Sequence, residues 1–279
     1  MDPRAATTAL DVSHSTVVRY VIWVLALGIP TLAVPALTEL PAEPFLLLLV
    51  YGVLLGGAVV IARRSGPDGI RRLFAGALHW RIGWWNWLLA VGAVPTATIA
   101  VALATGTFVA PDRWLLEIGN YLFLTLVFGA LIVNIFEETA WQGLVQRHLT
   151  GRHGPLKAAA LTSIPFAAVH LPLSFVGDPT MQQALIATAF LCLLAPAMRF
   201  TMGRMDAISG GSLLAVGVMH ASVNASGQLG VVNGDWQPIG ALVAITTAFL
   251  LIDARRARVG QRPRAHTIAD RMPEKEGAS

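Results

Sequence analysis

Four side chains stand out for where they sit. Glu137, Glu138, His170 and His220 lie deep inside long apolar stretches. An ionisable group in hydrocarbon is costly, so each needs a partner or a task. The other histidines (His14, His79, His148, His153 and His266) fall between apolar stretches or near their ends, as do Asp206 and Asp253. A carboxylate withdrawn from water becomes a stronger base and can take a proton from a water molecule. Imidazole and carboxamide N–H groups can donate to a developing oxyanion. Helix positions i and i+4 share a face, which pairs His220 with Asn224, Phe166 with His170, Glu137 with Trp141 and Glu138 with Gln142. Taken singly, a histidine in an apolar helix is more often a hydrogen-bonded packing residue. Taken together, the set has the parts for hydrolysis.

The same parts suit other tasks. Two histidines and a glutamate form the ligand shell of several catalytic zinc sites, and buried Glu and His also line proton or solute pathways. Neither histidine belongs to an HExxH motif. Water activation by Glu137 is therefore placed ahead of a metal, and no cofactor is expected. Zinc is the alternative, with Glu137, His170 and His220 as its ligands.

These residues need elements to hold them, and the composition says which. Of 279 residues, 55% are hydrophobic and only 13% charged, against about 25% charged in soluble domains. The mean hydropathy is +0.62. The expected fold is an all-α, polytopic transmembrane helical bundle. It has about eight spans, near 20–40, 44–62, 84–106, 119–148, 155–173, 181–200, 207–226 and 238–253. A short amphipathic stretch, 68–82, is expected to lie along the interface, with Trp80, Trp84, Trp85 and Trp87 at headgroup level. Trp114 and Trp236 would mark the opposite belt. Residues 1–18 read as a polar lead, 19–253 as one transmembrane domain, and 254–279 as a basic tail expected to be disordered. The single cysteine, Cys192, excludes an intramolecular disulfide and any multi-cysteine metal site.

Basic residues set the orientation. With the N-terminus in the cytoplasm, every Lys and Arg but Arg113 falls on the inside, Arg199 and Arg204 included. Both termini are then cytoplasmic, in a multi-pass protein of the plasma (inner) membrane. This explains the pI near 9.8 without a nucleic-acid partner. The bilayer and a membrane-associated peptide or protein are the partners expected, and oligomeric state is left open. Counting from Arg147, Lys157 and Arg204 at 1.5 Å per residue puts Glu137, His170 and His220 ~15, ~20 and ~24 Å inward. All three fall in the membrane interior.

Three motifs thus stand in order: EETAWQG (137–143), FAAVH (166–170) and HASVN (220–224). They resemble the EExxxR, FxxxH and HxxxN motifs of the CPBP family of CAAX prenyl proteases and bacteriocin-processing proteins. The resemblance implies an intramembrane endopeptidase of helical-bundle architecture. It implies that Glu137 activates water, that His170 is its partner, and that His220 and Asn224 support the oxyanion. Glu138 matches a second, structural glutamate, and Phe166 opens the second motif. The family's Arg falls at Gln142, which brings no charge. Glu138 is then protonated or finds another cation, and Arg147, over two helical turns on, is not expected to supply it. A non-catalytic scaffold or immunity-type protein of the same fold is the second reading, and a small-solute or proton transporter the third.

Overall fold

The computed structural model describes residues 10–232 and 236–260. Among these there are nine helices and no strand, only an isolated bridge between Phe108 and Val232. The helices are α1 (His14–Leu37), α2 (Glu43–Arg64), α3 (Gly69–Ala75), α4 (Trp84–Ala104) and α5 (Trp114–His153). Then follow α6 (Pro155–Phe175), α7 (Met181–Ile208), α8 (Leu213–Ser226) and α9 (Gln237–Gly260). Seven of them, all but α3 and α8, are long and apolar enough to cross a membrane. Large apolar side chains cover the outside, Leu37 and Leu115 among the most exposed, as a surface facing lipid requires.

Local chemistry sets the helix ends. Ser13 caps α1 by accepting from the Thr16 N–H, and Thr180 and Gln183 form a reciprocal capping box on α7. Gly154, at φ +79°, ends α5, and Pro155 opens α6 where its missing N–H costs nothing. After His170, α6 tightens into a 3₁₀ turn, Leu171–Phe175.

Most boundaries shift by a few residues, α1 starting at His14 inside the expected lead, and three differ more. First, α7 does not stop at 200. It continues through Arg199 and Arg204 to Ile208, so Arg199 is not a snorkelling topology marker but a fully buried side chain. Second, the segment expected over 207–226 shrinks to α8, 14 residues long, or about 21 Å. Third, residues 254–260, read as part of a disordered tail, continue α9. The remainder of that tail, 261–279, and residues 1–9 of the lead lie outside the described residues.

Short as it is, α8 carries the chain across the bundle. α7 and α9 run parallel, because Thr201 meets Thr246 and Arg204 meets Asp253. α8 starts beside the end of α7 and runs antiparallel to α5. Along that contact Gly143 faces Leu213, Ile135 faces Gly217 and Gly129 faces Ala221. The chain therefore makes eight passes, and the start of α1 and the end of α9 lie at one end of the bundle. Trp80, Trp84 and Trp85 are exposed at that end, and Trp114 and Trp236 at the other.

α8 is buried on every face, from Leu213 through Ser222 with few breaks, which marks it as the central helix. Ser212 caps it and also donates to the His79 carbonyl, tying its start to the loop after α3. Close approach to α5 depends on Gly217. A Cβ there would sit 2.9 Å from the backbone N and Cα of Ile135. We expect Gly217→Val to lower stability by about 1–3 kcal/mol through overpacking. Gly92→Ala, on α4 where a Cβ meets nothing within 4 Å, should leave stability unchanged or raise it by up to about 1 kcal/mol. Thermal unfolding in detergent of the two variants checks the contrast.

Candidate active site

α5 brings both carboxylates to the centre. A single α-helical turn, Ile135–Glu138, is bracketed by wider i→i+5 winding over Phe123–Asn134 and Thr139–Gln146. Such π-type winding recurs at functional sites because it re-aims side chains within a continuous helix. The turn directs Glu137 and Glu138 to different neighbours.

Glu138 is fully buried and faces Arg199 of α7, itself without solvent contact. Arg199 Nη1 donates to both carboxylate oxygens, at 2.8 and 3.0 Å. Its Nε donates to Gln146 Oε1 at 2.9 Å and its Nη2 to Gln142 Oε1 at 3.2 Å. The guanidinium also lies 5.5 Å from the centre of the Phe166 ring. Gln142 uses the other end of its amide to donate to Asp206 Oδ2 at 3.1 Å. Asp206 in turn holds Arg147 through two hydrogen bonds, of 2.9 and 2.6 Å. The charge absent at position 142 is therefore supplied from another helix. Arg147 does not pair with Glu138, as expected, because Asp206 occupies it.

The buried carboxylate sets the first imidazole. His220 Nδ1 donates to Glu138 Oε1 at 2.8 Å, which leaves Nε2 as its second polar atom. His220 Nδ1 lies 3.9 Å from Glu137 Oε2, beyond hydrogen-bond range. The second imidazole is set by backbone: His170 Nδ1 donates to the Phe166 carbonyl one turn back, at 2.8 Å. Its Nε2 lies 3.6 Å from Glu137 Oε1. Phe166 lies tilted against His170, ring centres 4.5 Å apart, and edge-on against Trp141, which holds both rings.

Glu137 is held differently from its neighbour. Asn134, one turn earlier, donates to Glu137 Oε2 at 3.3 Å. Glu137 Oε1 is buried and accepts no hydrogen bond. Such an atom costs free energy unless something fills the space before it. That space is a cavity of about 660 Å³, lined by Glu137, His170, His220, Asn224 and Phe166 at its polar end. The rest of its wall is mostly apolar, from α2, α5, α6 and α7.

The structure thus brings Glu137, His170, His220 and Asn224 around one cavity, with Phe166 between the imidazoles. Glu138 and Gln142 stand behind it, as supports rather than lining. Arg199 and Asn134 escaped the sequence reading. Asn134 had a usable signal, being one turn before Glu137 on the same face. Arg199 had none, since nothing local in the sequence ties it to Glu138. Both Nδ1 atoms face oxygen acceptors, as in histidines that bind metal through Nε2; among the described residues no three His, Cys, Asp or Glu side chains gather as a ligand cluster.

Residues 119–226 match a family model described as type II CAAX prenyl endopeptidase, Rce1-like. The matched stretch holds all three motifs and agrees with the CPBP resemblance read from them. It supports an intramembrane CAAX-type endopeptidase in general terms. No curated protein matches the chain.

Removing Arg199 should leave Glu138 buried and unpaired. We expect Arg199→Gln to lower stability by about 3–5 kcal/mol, read as thermal unfolding in detergent. The double change Arg199→Gln with Gln142→Arg should recover a large part of that loss, because it returns a cation to within reach of Glu138.

Proposed function

We propose that the chain is an intramembrane endopeptidase that hydrolyses a peptide bond of a membrane-associated peptide or protein. The observation that carries this reading is the unpartnered Oε1 of Glu137, buried on the wall of a large cavity beside the Nε2 of His170. A water seated there donates to the carboxylate. As Glu137 takes its proton, the oxygen adds to the carbonyl carbon of the substrate, and the carbonyl oxygen becomes an oxyanion. Asn224 and His220 lie on one face of α8, toward that oxyanion. The Asn224 amide donates to it, and His220, oriented through Nδ1 by Glu138, stands beside it. Collapse breaks the C–N bond, and the proton held by Glu137 passes to the leaving amine. The products are a carboxylate and an amine. His170 orients the water and holds the second edge of its site.

In this reading Glu138, Gln142 and Arg199 position His220, and Asn134 positions Glu137. Phe166 sets the spacing of the two imidazoles. The supply of a cation by Arg199 removes the main reason for a non-catalytic scaffold, which was the missing charge at position 142. Orientation follows the basic residues, with both termini in the cytoplasm of the plasma (inner) membrane.

Purified protein incubated with membrane-tethered peptides tests the proposal. Glu137→Gln should lower the cleavage rate by about 10²–10⁴-fold, the contribution of a general base, and His170→Ala should also impair it. Cleavage by the unaltered protein should survive a chelator. Full activity in both variants would overturn the assignment. Loss of activity with chelator, restored by zinc, would move the site to a metal centre held by Glu137, His170 and His220.

A further inference from the structure

The bundle has two unlike ends. One end gathers the start of α1, the α2–α4 connection, the α5–α6 turn and the end of α9. It carries Arg63, Arg64, Arg71, Arg72 and Arg81, then Arg147, Arg152 and Lys157, then Arg255, Arg256 and Arg258. At the other end, among the described residues, Arg113 is the one cation, beside Glu39, Glu43, Asp112, Glu117 and Asp178. Spanning proteins keep Lys and Arg on the cytoplasmic side. The burial of Arg199 leaves that asymmetry intact, because its charge is spent on Glu138 inside the bundle.

The cavity is not symmetrical between these ends. Its floor is formed by Glu137, Phe166, Met198 and His220, all deep within their helices. His220 comes nearest the basic end, yet lies seven residues into α8, about 10 Å. Below that floor stand the buried Glu138, Arg199, Gln142 and Gln146, which close the way to the basic end. The opposite rim is formed by Glu43 at the first residue of α2, Ser174 near the end of α6, and Gln228 just past α8. A carboxylate, a hydroxyl and an amide at three helix ends mark a rim at the water interface.

We infer that the cavity opens to the extracytoplasmic side, and that its occupant is an apolar peptide segment presented at the outer surface of the membrane. This rests on the protease reading for what happens to the segment, but the direction of entry stands on charge and cavity shape alone. A cytoplasmic tail would meet the buried ion-pair network before it met Glu137. A segment from the outer leaflet passes the rim and runs along the apolar wall to Glu137 without crossing a buried charge.

Cysteine labelling in intact cells tests the direction without requiring activity. In a Cys192→Ser background, Ser174→Cys and Gln228→Cys report on the rim, and Ser15→Cys, exposed at the start of α1, reports on the basic end. A membrane-impermeant maleimide added outside should label both rim positions in intact cells. It should label Ser15→Cys only after permeabilisation. The reverse pattern, or rim labelling only after permeabilisation, overturns the inference while leaving Glu137 and its neighbours untouched as a hydrolytic site.

Discussion

A guanidinium and a carboxylate, both sealed from solvent, hold this structure's centre. Two such charges would be intolerable apart, so α5 and α7 must stay in register wherever the rest of the bundle moves. The pair does more than join two helices. Glu138 has a second donor in His220, so the same carboxylate that neutralises Arg199 also orients an imidazole on the cavity floor. Gln142 suits this arrangement better than an arginine would. Its amide accepts from Arg199 and donates to Asp206, linking a cation to an anion, whereas a second guanidinium there would sit beside the first.

The neighbouring carboxylate lives under the opposite rule. Glu137 has one oxygen steadied by Asn134 and one left open to the cavity. Two adjacent residues of one helix thus have separate tasks because the helix turns them to different surroundings. The wider winding on either side of Ile135–Glu138 and the small residues of α8 make that close geometry possible. Where Gly217 meets the backbone of Ile135, the central helix comes near enough for His220 to reach Glu138.

Much of this was readable before any coordinates. The apolar stretches gave most helix positions to within a few residues, since hydrocarbon thickness dictates their length. The i, i+4 spacing of Phe166 with His170 and of His220 with Asn224 put the right side chains on shared faces. The scarcity of charge in those stretches singled out Glu137 and Glu138. What escaped was long-range pairing. A cation near the end of an apolar run reads equally well as a topology marker or as a buried partner, and by its position alone Arg199 reads as the first. Its true role depends on α7 continuing to Ile208, which no local signal around 200 announces. The shortness of α8 was hidden for a similar reason. The glycines and serines at 209–212 look compatible with a span, but they form the turn and cap that precede one.

The brevity of α8 bears on how the protein is made. Fourteen residues, with polar Ser222 and Ser226 and an imidazole among them, give a nascent chain little reason to partition into lipid by itself. Its burial on all faces means that its stable environment is other helices rather than the bilayer. It must therefore settle once α4, α5 and α7 are already present to receive it. His220 and Asn224 arrive with it, so their side of the cavity is completed in the last steps of assembly. A chain arrested earlier in biogenesis would hold its carboxylates but lack the imidazole and amide of α8 beside them.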